Sequence, residues 1–169
     1  MDVNALLGEL YDRIPPLVRE AVEGLEPAVL ATAPEPGANT VGWLVWHLTR
    51  VQDAHLAEIL GKDQIWTSGD LPARFDLPSD PGFTGYGHTP EQVTRVRPTA
   101  ELLVEYYDAV HARTGDFLAG LAPDDLDRIV DERWDPPVTL GVRLVSVADD
   151  SLQHAGQAAY VRGLLERRS

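Results

Sequence analysis

The sequence predicts an all-α protein, built as a four-helix bundle with a long crossover loop between helices two and three. Three observations carry this expectation. Apolar residues recur at three- and four-residue spacing in four long segments, helix-boundary residues stand at their ends, and one long proline-rich stretch separates the second segment from the third. No internal repeat and no second core are legible. Residues 1–169 are therefore expected to form a single domain, a length that can bury a core without disulfides.

The first segment runs from about Val3 to Leu25, with Leu6, Leu7, Leu10, Ile14, Leu17, Val18, Val22 and Leu25 on the helical period. Pro15 and Pro16 interrupt it, and a kink or break is expected there. The second spans roughly Thr40 to Leu60, with Asn39 or Thr40 as N-cap and Gly61 as C-terminal stop. Lys62 to Pro98 follows as a loop holding five prolines, with a short helix expected near Pro90 to Val93. Unstructured connections longer than about 12–15 residues are uncommon and tend to be functional. The third segment covers about Thr99 to Leu121, with Thr99 as cap, and Pro123 to Leu126 reads as an extra turn. The fourth runs from about Leu140 to Glu166 without proline.

The chain carries 14 Lys and Arg against 27 Asp and Glu, a net charge of −13, so nucleic acid and anionic membrane surfaces are poor partners for it. It has no cysteine, which removes disulfides, thiolate metal sites and cysteine nucleophiles. Any metal must be held by His, Asp or Glu. The N-terminus has Asp2 and no basic region, and no apolar run approaches the ~18 residues of a membrane span. The protein is expected to be cytoplasmic.

The chemistry is signalled by polar residues on apolar stripes. At about 100° per residue, Val147, Ala158, Val161 and Leu165 share a face with His154, and Asp150 lies one turn before it on that face. On the second segment Thr40, Trp43, Val51 and Ala54 share a face with His47. A buried carboxylate costs several kcal/mol, roughly, unless it is paired or binds a metal. His47, Asp150 and His154 resolve that cost if they meet at one divalent cation, and three protein ligands leave a position open. The competing reading is an Asp150–His pair without metal.

Residues 39–61, NTVGWLVWHLTRVQDAHLAEILG, resemble the second helix of the DinB/YfiT-like superfamily, in particular its actinobacterial mycothiol-transferase branch. Residues 144–165, LVSVADDSLQHAGQAAYVRGLL, resemble that family's last helix, and TGYGHTPEQV and WDPPVTLGVRLVS are similar to the same branch. The resemblance implies an up–down–down–up bundle and zinc or nickel held by one ligand from helix two and two from helix four. By motif position these are His47, Asp150 and His154. Maleylpyruvate isomerase relatives have Glu at the place of Asp150, and many members have His. The implied chemistry is thiol transfer, with mycothiol as cosubstrate and a small electrophile as its partner. The relatives also imply a homodimer.

Other residues have competing roles. Gln157 can bond a metal ligand or face another helix. Arg50 can pair with Asp53 at the surface or meet a substrate carboxylate. Arg143 and Arg162 can bind the thiol's anionic end or sit in salt bridges. His111 shares a stripe with Val104, Tyr107 and Leu118 and can act as a base or fill the core. His55 falls at a boundary, His88 can cap the site from the long loop, and Trp66 and Trp134 sit in loops that would frame its mouth. Asp149 replaces Asp150 only in a distorted helix. Asp124, Asp125, Asp127, Asp131 and Glu132 read as a solvated face. Two further functions use the same site, a metal-dependent hydrolase or isomerase, and a non-catalytic metal-binding stress protein.

Overall fold

The computed structural model describes residues 1–168 and is mostly helical, with one two-stranded hairpin among those residues. The first segment is divided at Arg13 into α1 (Val3–Asp12) and α2 (Ile14–Val22). Pro15 and Pro16 fall in the first turn of α2, where backbone N–H groups lack intrahelical acceptors. A new helix starts there without losing hydrogen bonds that one continuous helix would forfeit. A one-turn helix, α3 (Pro27–Leu30), follows, which periodicity did not suggest.

Helix α4 (Val41–Leu60) begins where the Thr40 hydroxyl accepts the Trp43 N–H at 3.1 Å and ends on Gly61 in the left-handed region, φ 61°. The long connection contains α5 (Ile65–Ser68), α6 (Leu71–Phe75) and the expected α7 (Pro90–Val93). Helix α8 (Ala100–Ala119) is capped by Thr99, and the turn after it is a 3-10 helix at Pro123–Asp127. Strands β1 (Ile129–Asp131) and β2 (Val138–Thr139) pair antiparallel and lead into α9 (Leu140–Glu166), capped by Thr139. Strands of three and two residues are too short to show an alternating pattern, so the hairpin was not legible in the sequence.

One cluster of buried apolar side chains draws on all the long helices, among them Ile14, Leu44, Leu48, Tyr107, Val110 and Leu144. Cross-helix bonds fix their register. Asn4 donates to the Leu121 carbonyl, His111 meets Asp12 at 3.1 Å and Arg19 meets Asp108, so α1 and α2 run against α8. Tyr11 donates to the Leu144 carbonyl, and Arg162 donates to the carbonyls of Glu20 and Glu23 at the end of α2. Helix α4 packs most extensively on α9 and also contacts α8, where Gln52 donates to the Thr114 hydroxyl at 2.8 Å. Among the described residues, no helix is long and apolar enough to cross a membrane.

The long connection is tied down by two buried residues of α4. The Asp53 carboxylate accepts the N–H groups of Ile65 and Trp66, at 2.9 and 2.8 Å, and the Tyr106 hydroxyl at 2.8 Å. Arg50 is fully enclosed, which corrects the surface pairing expected for it. Its guanidinium donates to the carbonyls of Asp80, Pro81 and Phe83, to Gln64 and to Tyr106, and lies 4.9 Å from the Trp66 ring centre. Trp66 is itself buried beneath it, so it does not frame a site mouth. Three carbonyls of one loop stretch, residues 80–83, thus converge on one cation that offers five N–H groups, the pattern for which arginine is suited.

Candidate metal centre

His47 projects from the middle of α4, and Asp150 and His154 project from one face of α9, one turn apart. Each offers one ligand atom, and the three atoms lie within 4.8 Å of one another. Asp149, by contrast, is exposed and accepts from Gln153 at 2.7 Å, away from this group.

The outer partners of both imidazoles set which nitrogen is free. His47 Nδ1 lies 2.6 Å from the Thr84 carbonyl oxygen, an acceptor, so Nδ1 carries the proton and Nε2 keeps its lone pair. His154 Nδ1 lies 2.9 Å from Gln157 Oε1, which fixes the same tautomer. An imidazole held by its far nitrogen is the usual arrangement around a metal-ligating histidine. Of the two readings open for Gln157, the structure shows the contact with a candidate ligand.

A metal-free Asp150–His154 pair is not formed as a hydrogen bond, because Nε2 and Oδ1 are 3.7 Å apart. Asp150 Oδ2 is buried with no hydrogen-bond partner. Such an orphaned acceptor costs about 1–3 kcal/mol unless something satisfies it. Two free imidazole nitrogens beside that carboxylate form a donor set that fits a divalent cation. Burial lowers the pKa of His47 most, with the nearby His154 adding to the shift, while the Thr84 bond and Asp150 oppose it. A lowered pKa favours the neutral imidazole that a metal requires.

The long loop closes over His47. Trp43 stacks on its ring, with centroids 4.5 Å apart and planes at 14°. Gly85, at φ 99°, passes so close that an added Cβ would sit 2.6 Å from His47 Nδ1. Trp43 Nε1 donates to His88 Nδ1 at 3.2 Å, and the His88 ring packs against Phe83 and Trp46. His88 therefore packs into the loop that covers His47.

A cavity of about 360 Å³ opens between α4 and α9 beside the triad. His47 and Asp150 line one part of it, Val51, Ala54 and Val147 supply apolar wall, and His55, Thr84, Tyr86 and Ser146 complete it. His55, expected only at a boundary, is thus a cavity residue. Eight residues after His47 it turns about 80° from that histidine's direction, so periodicity put it at an edge, and only the α4–α9 packing shows that this edge lines the cavity. Arg143 stands behind it, with Nη1 3.1 Å from His55 Nδ1 and Nη2 2.7 Å from Asp131 Oδ2.

Several expected site residues lie elsewhere. All five N–H donors of Arg50 are spent on the loop and on Tyr106 of α8, leaving none for a thiol or substrate. His111 lines a separate cavity with Asn4, Gly8 and Tyr11 and stacks on Tyr107. Arg162 caps α2 and pairs with Glu166. Asp131, expected on a solvated face, is 5% exposed and anchors Arg133 and Arg143.

A model of the DinB superfamily matches residues 10–158. The chain belongs to the DinB superfamily. It is similar to a conserved protein from Enterococcus faecalis of known crystal structure, at 34% identity and TM-score 0.89, over 98% of each chain. No curated protein matches it. The triad observed above accords with a superfamily in which metal binding is common, and this chain presents it as His–Asp–His.

Proposed function

We propose that this DinB-superfamily protein is a metal-dependent S-transferase that joins a low-molecular-weight thiol, of the mycothiol type, to a small electrophile. The observation that carries the reading is the triad itself. Two imidazoles have their Nε2 atoms freed by outer partners beside an unsatisfied carboxylate oxygen, and the group opens on a cavity. His47, Asp150 and His154 would hold the cation, with zinc or nickel suited to the donors. When bound, such a cation lowers the pKa of a coordinated thiol towards neutrality.

The chain's own residues do the rest. Thr84 and Gln157 hold both imidazoles in the required tautomer. The cavity holds the electrophile against the triad, and its apolar wall limits water. The thiol comes from the cosubstrate, because the chain has no cysteine. With an activated alkene, a C–S bond forms, the π pair moves to the neighbouring carbon, and the thiol proton ends on that carbon. No group leaves and nothing is oxidised overall.

The same reading includes the architecture as one domain with up–down–down–up helices. It is supported by the opposed registers of α1–α2 with α8 and the pairing of His47 with His154 and of His55 with Arg143, which runs α4 against α9. The test is conjugation of mycothiol, bacillithiol or glutathione by metal-loaded protein, either to diethyl fumarate by the addition above or to 1-chloro-2,4-dinitrobenzene by substitution, in which the C–S bond replaces C–Cl and chloride leaves with the thiol proton. Metal-dependent turnover with one thiol supports the reading. Metal binding with no turnover for any pair overturns the transferase and leaves a metal-binding protein.

A further inference from the structure

Helix α4 places Trp43 one turn before His47, on the same face. Its indole stacks on the His47 ring, with centroids 4.5 Å apart and planes at 14°. It also meets the His154 ring, at 6.3 Å and 60°. These imidazoles come from two different helices, and their own centroids are 4.9 Å apart. One side chain therefore touches both histidines of the triad. Among the described residues, Trp46, Trp66 and Trp134 make no ring contact with either.

The indole is itself fixed from outside. Trp43 is 6% exposed, so its N–H needs a partner within the protein. His88 supplies one through Nδ1 at 3.2 Å, and the His88 ring packs against Trp46 and Phe83, at 5.8 and 4.7 Å. A tight turn carries His88, whose backbone N–H donates to the Gly85 carbonyl at 3.1 Å. The long loop thus reaches the candidate ligand through His88 and then Trp43.

The charge distribution of the rings adds to this geometry. The face of an indole is negative and attracts a ring that carries positive charge more than a neutral one. An imidazole that shares its Nε2 lone pair with a divalent cation is drained of electron density and becomes such a ring. Only an interaction that differs between the free and the loaded states can shift metal binding. The Trp43 stack is stronger in the loaded state, so it favours loading.

We propose that Trp43 is the positioning residue of the metal centre. It holds the His47 and His154 rings at their mutual angle and strengthens metal binding through its π-face, and His88 keeps it in place. This rests on the triad as a metal centre and not on the transfer chemistry.

The test weakens the negative face while keeping the shape. The full chain is made with mono- and difluorinated tryptophan in place of tryptophan. Zinc affinity is measured by competition with a chromogenic chelator, and stability by urea unfolding of the metal-free proteins. Zinc affinity is expected to fall in steps with fluorine number, by up to about tenfold, while the unfolding midpoint moves little. In the Trp43→Phe protein, where only the other three tryptophans take the label, fluorination should change nothing. Trp43→Leu should weaken zinc binding about three- to thirtyfold, with Trp43→Phe between it and the wild type. His88→Ala, which leaves the triad and the indole in place, should weaken it about two- to tenfold, the worth of one neutral hydrogen bond. Zinc bound by the wild type but insensitive to fluorination, or equally sensitive in the Trp43→Phe background, overturns this proposal alone. A wild type that binds no zinc overturns the metal centre as well.

Discussion

Replacing Gly85 with alanine should loosen the metal centre without touching a ligand. The new Cβ would lie 2.6 Å from His47 Nδ1, 3.1 Å from Trp46 Cζ3 and 3.2 Å from Trp43 Cζ2. Trp43 and Trp46 are buried, stacked on His47 and His88 respectively, so the loop rather than the rings must retreat. Retreat by several tenths of an ångström moves the Thr84 carbonyl off His47 Nδ1, where the bond is now 2.6 Å. The left-handed backbone at φ 99° costs an alanine about 1–2 kcal/mol, and overpacking typically adds about 1–3 kcal/mol. Unfolding by urea should thus show a loss of roughly 2–5 kcal/mol. Loss of the outer partner of one histidine should weaken metal binding by about 10–100-fold, read by competition with a chromogenic chelator. Gly87→Ala is the control, because Gly87 also has positive φ, 72°, but no atom within 4 Å of its added Cβ. It should show strain alone and normal metal affinity. If Gly85→Ala matches Gly87→Ala in both assays, the loop does not position His47 and the reasoning fails.

Other perturbations separate the remaining parts. Gln157→Ala should lower metal affinity about 10–100-fold while leaving thermal stability nearly unchanged, because Gln157 is exposed and its bond goes only to His154. Arg50→Met should destabilise the protein by about 3–5 kcal/mol, measured by urea unfolding, since it strands Asp53 and three loop carbonyls, and Arg50→Lys should recover little of this. Arg133 and Arg143 hold the Asp131 carboxyl well below the ordinary carboxylate range. A carboxyl with a lowered folded pKa stabilises fully above its unfolded value, about 3.9, and loses that contribution as pH falls towards the folded one. The gap in melting temperature between the wild type and Asp131→Asn should hold from pH 7 to about 5 and narrow below about 4.

Most helix boundaries could be read from single residues. Thr40, Thr99 and Gly61 act locally, each through one backbone group, so their meaning survives without tertiary context. The triad was legible for a related reason. A histidine or aspartate on an apolar stripe conflicts with its neighbours, and helix geometry converts that conflict into a location. Arg50 was misread because it lies off that stripe, and only the return of the long loop encloses it. Asp131 was misread because Arg143 is remote in sequence and meets it only through the hairpin. The Thr84–His47 contact depends on a loop held by residues far from it in the chain, and no local pattern encodes such closure.

Metal stoichiometry tests the central claim most directly. The wild type, His47→Ala, Asp150→Ala and His154→Ala should be purified without tags, loaded with zinc or nickel, desalted and analysed for bound metal. About one ion per chain in the wild type, with loss in every variant while their helical circular dichroism persists, is the predicted result. A wild type that retains no ion, or folded variants that retain as much as the wild type, would contradict a metal centre formed by His47, Asp150 and His154.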